Sequence, residues 1–235
     1  YRSQWRFRVG TEPDLLPGHW VGTREDYYEH YAVTVDAVTR IIPNAEIGPG
    51  NILNPSKPPP GSKNTTMQLT GDGKGWGVTM IDHLAEAKPH ATFFAISHYS
   101  HVNQPIKHEN SIRRIRERLD RYPELRDLPL EIHEHGVLSD ENKKRLHGSD
   151  ASEWSASWYA AVADIAYREG ISEIYNWGYS ASDLPIPRQL VIGMLDKMAE
   201  GQRLEVSTDG DGIGNQGAIA VRKDESIFLL LYHHH

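Results

Sequence analysis

An α/β fold around a parallel sheet is predicted by three observations. Strand-like and helix-like runs alternate five times between Trp5 and Glu200, which sets successive strands side by side with helices returning the chain. After Gly201 the texture changes to short β runs separated by Asp209-Gly210-Asp211-Gly212 and Lys223-Asp224-Glu225, the pattern of an antiparallel region. The turn after the first strand is Gly10-Thr11-Glu12-Pro13, a carboxylate in place of the glycine-rich phosphate cradle of a doubly wound open sheet. These units therefore read as the last five of a (β/α)8 TIM barrel, followed by the start of an antiparallel β-sandwich region. The expected division is 1–201 for the C-terminal part of the barrel and 202–235 for the start of an accessory β domain.

The elements follow in order. Trp5 to Gly10 alternates as a strand does, so Glu12 stands at a strand's C-terminal end. Thr23 with Asp26 three positions on marks a helix start, and Tyr27, Tyr31, Val35 and Val38 recur at helical spacing until Pro43 stops it. A strand over Ala45 to Gly48 and a Pro- and Gly-rich loop over Gly50 to Gly75 come next. The pattern then gives helices near Trp76–Ala87, Glu109–Arg121, Ala151–Glu169 and Pro187–Glu200, alternating with strands Ala91–Ser97, Leu128–Glu134 and Ser172–Trp177. Short runs Leu204–Ser207, Ala218–Arg222 and Ile227–Tyr232 complete the chain. A closed barrel needs eight strands to leave no open edge, so three units are expected from an upstream segment or another chain.

Composition narrows the partners. With 38% hydrophobic residues, 24% charged residues and a net charge of -7, no run is apolar enough to cross a membrane. The densest basic run, Arg113 to Arg121, also holds Glu117 and Asp120, which is a solvated helix face and no phosphate-binding surface. Nucleic acid is therefore not expected as a partner. Cysteine is absent, which removes disulfides, thiolate metal sites and cysteine nucleophiles. The segment Gly71-Asp72-Gly73-Lys74-Gly75-Trp76-Gly77 lacks the Walker spacing, and no cofactor is called for. It reads as a loop over the site that offers Trp76 as a stacking surface. The final His233, His234 and His235 are given no function.

The chemistry lies in two carboxylates. Cleaving a glycosidic bond takes one carboxyl group to protonate the leaving oxygen and a second to attack or to activate water. Parallel barrels collect such groups at the C-terminal ends of different strands, where Glu12 and Glu134 are expected. Glu131 shares the strand of Glu134 but faces the other way, because an odd offset switches sides; Glu134 is preferred as the nearer to the strand end. His133 and His135 share one face and Glu134 the other, so the three do not ligate one metal ion. His98, His101, His108, His133 and His135 near strand ends are either unrelated loop histidines or a polar wall able to receive an anionic sugar, a uronate or a sulfated one, when protonated.

These residues resemble the barrel glycosidases of clan A, and within it glycoside hydrolase family 39, which includes β-xylosidases and α-L-iduronidases. The resemblance runs through Phe7-Arg8-Val9-Gly10-Thr11-Glu12-Pro13-Asp14, Trp20 to Tyr27, Pro43 to Pro49, Ile96-Ser97-His98-Tyr99, Glu131-Ile132-His133-Glu134-His135-Gly136 and Tyr175-Asn176-Trp177. It implies a retaining glycoside hydrolase with Glu12 as acid/base and Glu134 as nucleophile. His98 and Tyr99 would line the pocket, with Trp177 as the floor beneath the sugar; His133 and His135 flank Glu134 where the family more often has threonine and tryptophan. Thr11 departs from the family, whose acid/base follows an asparagine that holds the sugar's 2-hydroxyl, so either a different residue holds that hydroxyl or the substrate carries something else at that carbon. The rival reading is a noncatalytic carbohydrate-binding protein on a degenerate barrel. An enzyme that degrades polysaccharides would be expected outside the cytoplasm, secreted or periplasmic.

Overall fold

The structure is a computed structural model and describes residues 5–53, 75–101, 105–138, 155–176, 186–207 and 216–234, with the backbone alone for 100, 101 and 138. Thirteen elements alternate along these segments. They form two compact units. The first comprises 1–98, 111–135 and 171–175, and the second 99–110, 136–170 and 176–235.

In the first unit five strands stand side by side in chain order. β1 (Arg6–Val9) pairs in parallel with β2 (Glu46–Pro49), in the register Arg6 to Glu46 through Val9 to Pro49. The chain after β2 reaches β3 (Phe94–His101) through a parallel bridge from Ile52 to Ile96. Two side-chain and backbone bonds reinforce the junction: Ile47 N donates to Thr92 Oγ1 at 2.9 Å, and Thr92 N donates to Ile47 O at 2.8 Å. β3, β4 (Leu130–Leu138) and β5 (Ile171–Asn176) follow in that order. Their starts adjoin, since Phe94 N donates to Pro129 O and Ser172 Oγ to Leu130 O. An order that never reverses distinguishes this arc from a doubly wound sheet, which reverses at its switch point. With right-handed crossovers an order of this kind sets connecting helices on one side of the sheet, as in a barrel.

The helices show why these sequences take these places. α1 (Arg24–Ile41) begins at a capping box in which Asp26 N donates to Thr23 Oγ1 and Thr23 N donates to Asp26 Oδ2 at 2.7 Å, satisfying two otherwise orphaned donors. Its apolar stripe, Tyr27, Tyr31 and Val35, is buried. Tyr27 also fixes the helix to the strand ends: its hydroxyl donates to Val9 O at 3.0 Å and accepts from Gly50 N at 2.7 Å. α2 (Trp76–Ala87) buries Met80, Ile81 and Leu84, and α3 (Ile106–Leu119) buries Ile112, Ile115 and Leu119. Each such side chain removed from water contributes roughly 1.5–3 kcal/mol.

The strands also carry a charge cluster. The Arg6 guanidinium reaches Glu46 Oε2 at 2.7 Å, Glu131 Oε2 at 3.1 Å and Glu173 Oε1 at 2.9 Å, joining β1, β2, β4 and β5. Glu131 is fully buried and shares a second hydrogen bond with His133 Nε2 at 2.6 Å. Removing the cation from a buried carboxylate costs about 3–5 kcal/mol, whereas an exposed pair is worth about 1 or less. Arg6→Met is therefore expected to lower the thermal midpoint by several degrees in a calorimetric scan, and Glu46→Gln at the exposed partner to leave it nearly unchanged.

In the second unit, α4 (Ser155–Arg168) and α5 (Ile186–Met198) accompany an antiparallel sheet of β6 (Gln202–Leu204), β7 (Gln216–Lys223) and β8 (Ser226–His233) in that order. Met198, Ile219 and Val221 form a core with Ala163, Leu195 and Phe228 against it. Buried Asp164 accepts from Arg203 Nη2 at 2.5 Å and Tyr232 Oη at 2.7 Å, tying α4 to β6 and β8. The other face of β8 exposes Ile227, Leu229 and Leu231. The expected antiparallel region is thus a three-stranded sheet that starts at Gln202, and it shares a compact unit with α4 and α5.

Candidate active site

Glu12 lies in the turn after β1, where the backbone is bent twice through the left-handed region, at Gly10 (φ 82°) and at Glu12 itself (φ 42°). Glycine enters that region freely, but a glutamate is held there only by its surroundings. The hold comes from Glu12 N, which donates to Asn51 O at 3.0 Å, and from Leu15 N, which donates to Glu12 O at 2.9 Å. Gly50 makes the approach possible: a Cβ there would stand 2.8 Å from Val9 O and 3.0 Å from the Gly10 carbonyl carbon. The C-terminal ends of β1 and β2 therefore close on each other and present the Glu12 side chain.

Glu12 is 5% exposed. Burial raises its pKa above the ordinary carboxylate value, because the charged form loses its water. A hydrogen bond from Ser97 opposes the rise, the negative charge of Glu134 adds to it, His19 opposes it and Asp14 adds to it. His19 Nδ1 stands 3.4 Å from Glu12 Oε2. Asp14, also buried, accepts from Leu53 N at 2.9 Å. Ser97 in turn accepts from Asn51 Nδ2 at 2.5 Å, and both are fully buried.

Glu134 is 6% exposed and stands in the middle of β4, not at its end as expected, because the strand continues to Leu138. The two carboxylates singled out from the sequence are thus both buried in the first unit, close enough for one charge to act on the other. His135 beside Glu134 is also buried, and His98 on β3 is half-buried. Thr11 Oγ1 accepts from Arg8 Nη2 at 2.7 Å, so the hydroxyl next to Glu12 is held by a guanidinium.

Other expectations need correction. Trp76 is not a surface on a loop over the site: it is the first residue of α2, 4% exposed and packed 6.1 Å from the Tyr27 ring, so no face of it is open to a sugar. His133 is turned to Glu131, with Phe93 and Tyr175 around its ring at 5.2 and 5.3 Å, which makes it part of the Arg6 cluster and not a neighbour of the nucleophile candidate. His108 is buried edge-on to Trp158 in the second unit, 5.3 Å between ring centroids, and is not a wall residue. Tyr99 belongs to the second unit and Trp177 lies outside the described residues.

Sequence reasoning missed Asn51, Ser97 and His19. Ser97 had a readable signal, a polar residue ending an otherwise apolar strand between Ile96 and His98. Asn51 fell in a segment read wholly as loop, and His19 in the turn before α1.

No family model matches the chain, so membership in family 39 in particular is not established. A curated relative, an α-1,4-L-rhamnosidase from Formosa agariphila, is 22% identical over 182 residues, covering 74% of this chain and 33% of the relative. Among solved structures, a glucosidase from Croceicoccus marinus superposes with a TM-score of 0.71 at 18% identity, over 99% of this chain and 48% of that one. A family 44 endoglucanase from Clostridium thermocellum gives 0.65 at 12% identity over 95% and 53%. A family 51 α-L-arabinofuranosidase from Bifidobacterium longum gives 0.64 at 12% identity over 92% and 50%. The chain thus has the fold of part of a glycoside hydrolase barrel, spanning about a third of the curated relative's length and about half of these solved chains.

Proposed function

We propose that this glycosidase fold cleaves a glycosidic bond by double displacement, with configuration retained. Glu134 attacks the anomeric carbon while Glu12 gives its proton to the leaving oxygen; water then enters with Glu12 as base, and the sugar leaves Glu134. The observation that carries this reading is the pair of buried carboxylates, one in the turn after β1 and one within β4, with burial first and the charge of Glu134 after it raising the Glu12 pKa. Two carboxyl groups in unequal environments divide the acid and nucleophile roles between them.

The proposed substrate is an oligo- or polysaccharide carrying uronate or sulfate groups. Arg8, fastened to Thr11 where the resembling family keeps asparagine, supports this class, as do His98 and His135 on the neighbouring strands. The α-1,4-L-rhamnosidase activity of the curated relative puts α-L-rhamnosyl linkages first among those to try. Thr11 also favours a second reading, in which the barrel binds carbohydrate without cleaving it.

A panel of aryl glycosides, the α-L-rhamnoside included, and acidic polysaccharides separates the two. Release of the aryl group with the product first appearing in the substrate's anomeric configuration by proton NMR is the expected result. Inverted product removes the double displacement, and tight polysaccharide binding with no release supports the binding protein.

A further inference from the structure

Glu12 is held by more than its own turn, and the hold converges on one residue. Asn51 meets it from two directions. Its carbonyl oxygen accepts the Glu12 N–H at 3.0 Å and so supports the left-handed backbone there. Its side-chain amide donates to Ser97 Oγ at 2.5 Å, and the Ser97 hydroxyl bonds the Glu12 carboxyl group. Neither Asn51 nor Ser97 is exposed, and Ser97 N is anchored to Ile52 O at 2.9 Å, one residue beyond Asn51.

We infer that Asn51 and Ser97 are positioning residues for Glu12, forming a buried hydrogen-bond chain that aims its carboxyl group and serves it in both protonation states. The inference rests on the acid/base role proposed for Glu12. A hydroxyl is suited to this task because it has one proton and two lone pairs on a freely turning bond. With the Asn51 amide filling one lone pair, the Ser97 proton is committed to the Glu12 carboxylate. When Glu12 is protonated, the remaining lone pair of Ser97 can accept from it. A group that must be an acid in one step and a base in the next thus keeps the same partner and the same orientation. His19, exposed and with Nδ1 3.4 Å from Glu12 Oε2, also contacts the carboxylate, and Asp14 and Glu134 are the other charges that act on it.

The chain is tested by following the Glu12 carboxyl carbon in protein labelled with carbon-13 at glutamate, its signal identified by disappearance in Glu12→Gln. This titration needs no substrate, so failure of the relay and failure of the catalytic reading are seen separately. Ser97→Ala removes a donor to the charged form and is expected to move the Glu12 midpoint up by about one pH unit. Asn51→Ala keeps the backbone carbonyl and is expected to move it the same way by less. Ser97→Cys, nearly isosteric and a weak donor, gives the same upward direction should the alanine variant not fold. In a folded variant, an unchanged or lowered midpoint for Ser97→Ala or Ser97→Cys overturns the inference. Where turnover is measured, the alkaline limb of the pH profile is expected to follow the midpoint upward, which a loss of packing alone would not produce.

Discussion

Replacing Glu134 by alanine is expected to lower kcat/KM for an activated aryl glycoside by roughly 10⁴-fold or more, the scale seen when a nucleophile is deleted, and added azide is expected to restore turnover. The small anion occupies the space left by the carboxylate and attacks the anomeric carbon from the same side, so the product is a glycosyl azide of inverted configuration. Burial of Glu134 makes the rescue specific, because a 6% exposed carboxylate leaves an enclosed gap when truncated. The neighbouring Glu131→Gln is the matched control. Its carboxylate is held by Arg6 and His133, so the substitution is expected to lower thermal stability and to leave azide without effect. A rate in Glu134→Ala within tenfold of the parent would remove the nucleophile assignment.

Glu12→Gln separates leaving groups. It is expected to reduce kcat/KM by about 10²–10⁴-fold for an alkyl or sugar leaving group that needs a proton, and to leave the first step on a dinitrophenyl glycoside nearly intact. The parent's alkaline limb should vanish with it. Burial, reinforced by Glu134 and Asp14, raises the Glu12 pKa, so the acid form persists above the usual carboxylate range and activity falls as pH rises through the raised value. The same shift has a sign in stability. A carboxyl group whose pKa is higher folded than unfolded favours the fold most when protonated, and that contribution is lost as pH rises from the unfolded value through the folded one. Glu12→Gln is therefore expected to melt higher than the parent at neutral pH and at the same temperature in acid. Equal midpoints at both pH values would contradict the raised pKa.

The sequence was most readable where local chemistry acts alone. Thr23 and Asp26 announced the start of α1, and the spacing of Tyr27, Tyr31 and Val35 gave its buried stripe, because a cap and a helical face are set by near neighbours. Strand ends were less legible. β3 begins at Phe94 and not at Ala91, since Thr92 uses its hydroxyl to receive Ile47 N and breaks the regular ladder. The carboxylate pair was singled out because both members were expected to end strands, which describes Glu12 after β1 but not Glu134, whose strand runs on to Leu138. The support of Glu12 was not, because Asn51 and Ser97 come from β2's exit and from β3 and meet Glu12 only through long-range pairing. Trp76 misled for a related reason: the glycines before it suggest a loop, while the residue itself opens a helix and is drawn inward against Tyr27.

The Arg6 cluster has an implication for how this sequence can drift. One guanidinium answers carboxylates from three other strands, Glu46, Glu131 and Glu173, so these positions do not vary as four independent letters. Loss of the arginine strands a buried Glu131 and sets three acids facing one another, whereas loss of Glu131 first relieves the crowding and makes the arginine dispensable. Viable histories therefore have a direction: the buried acid gives way before the base. Related chains that have replaced Arg6 should carry an uncharged residue at the place of Glu131, an ordered dependence that a set of homologous sequences would record as an asymmetric co-variation.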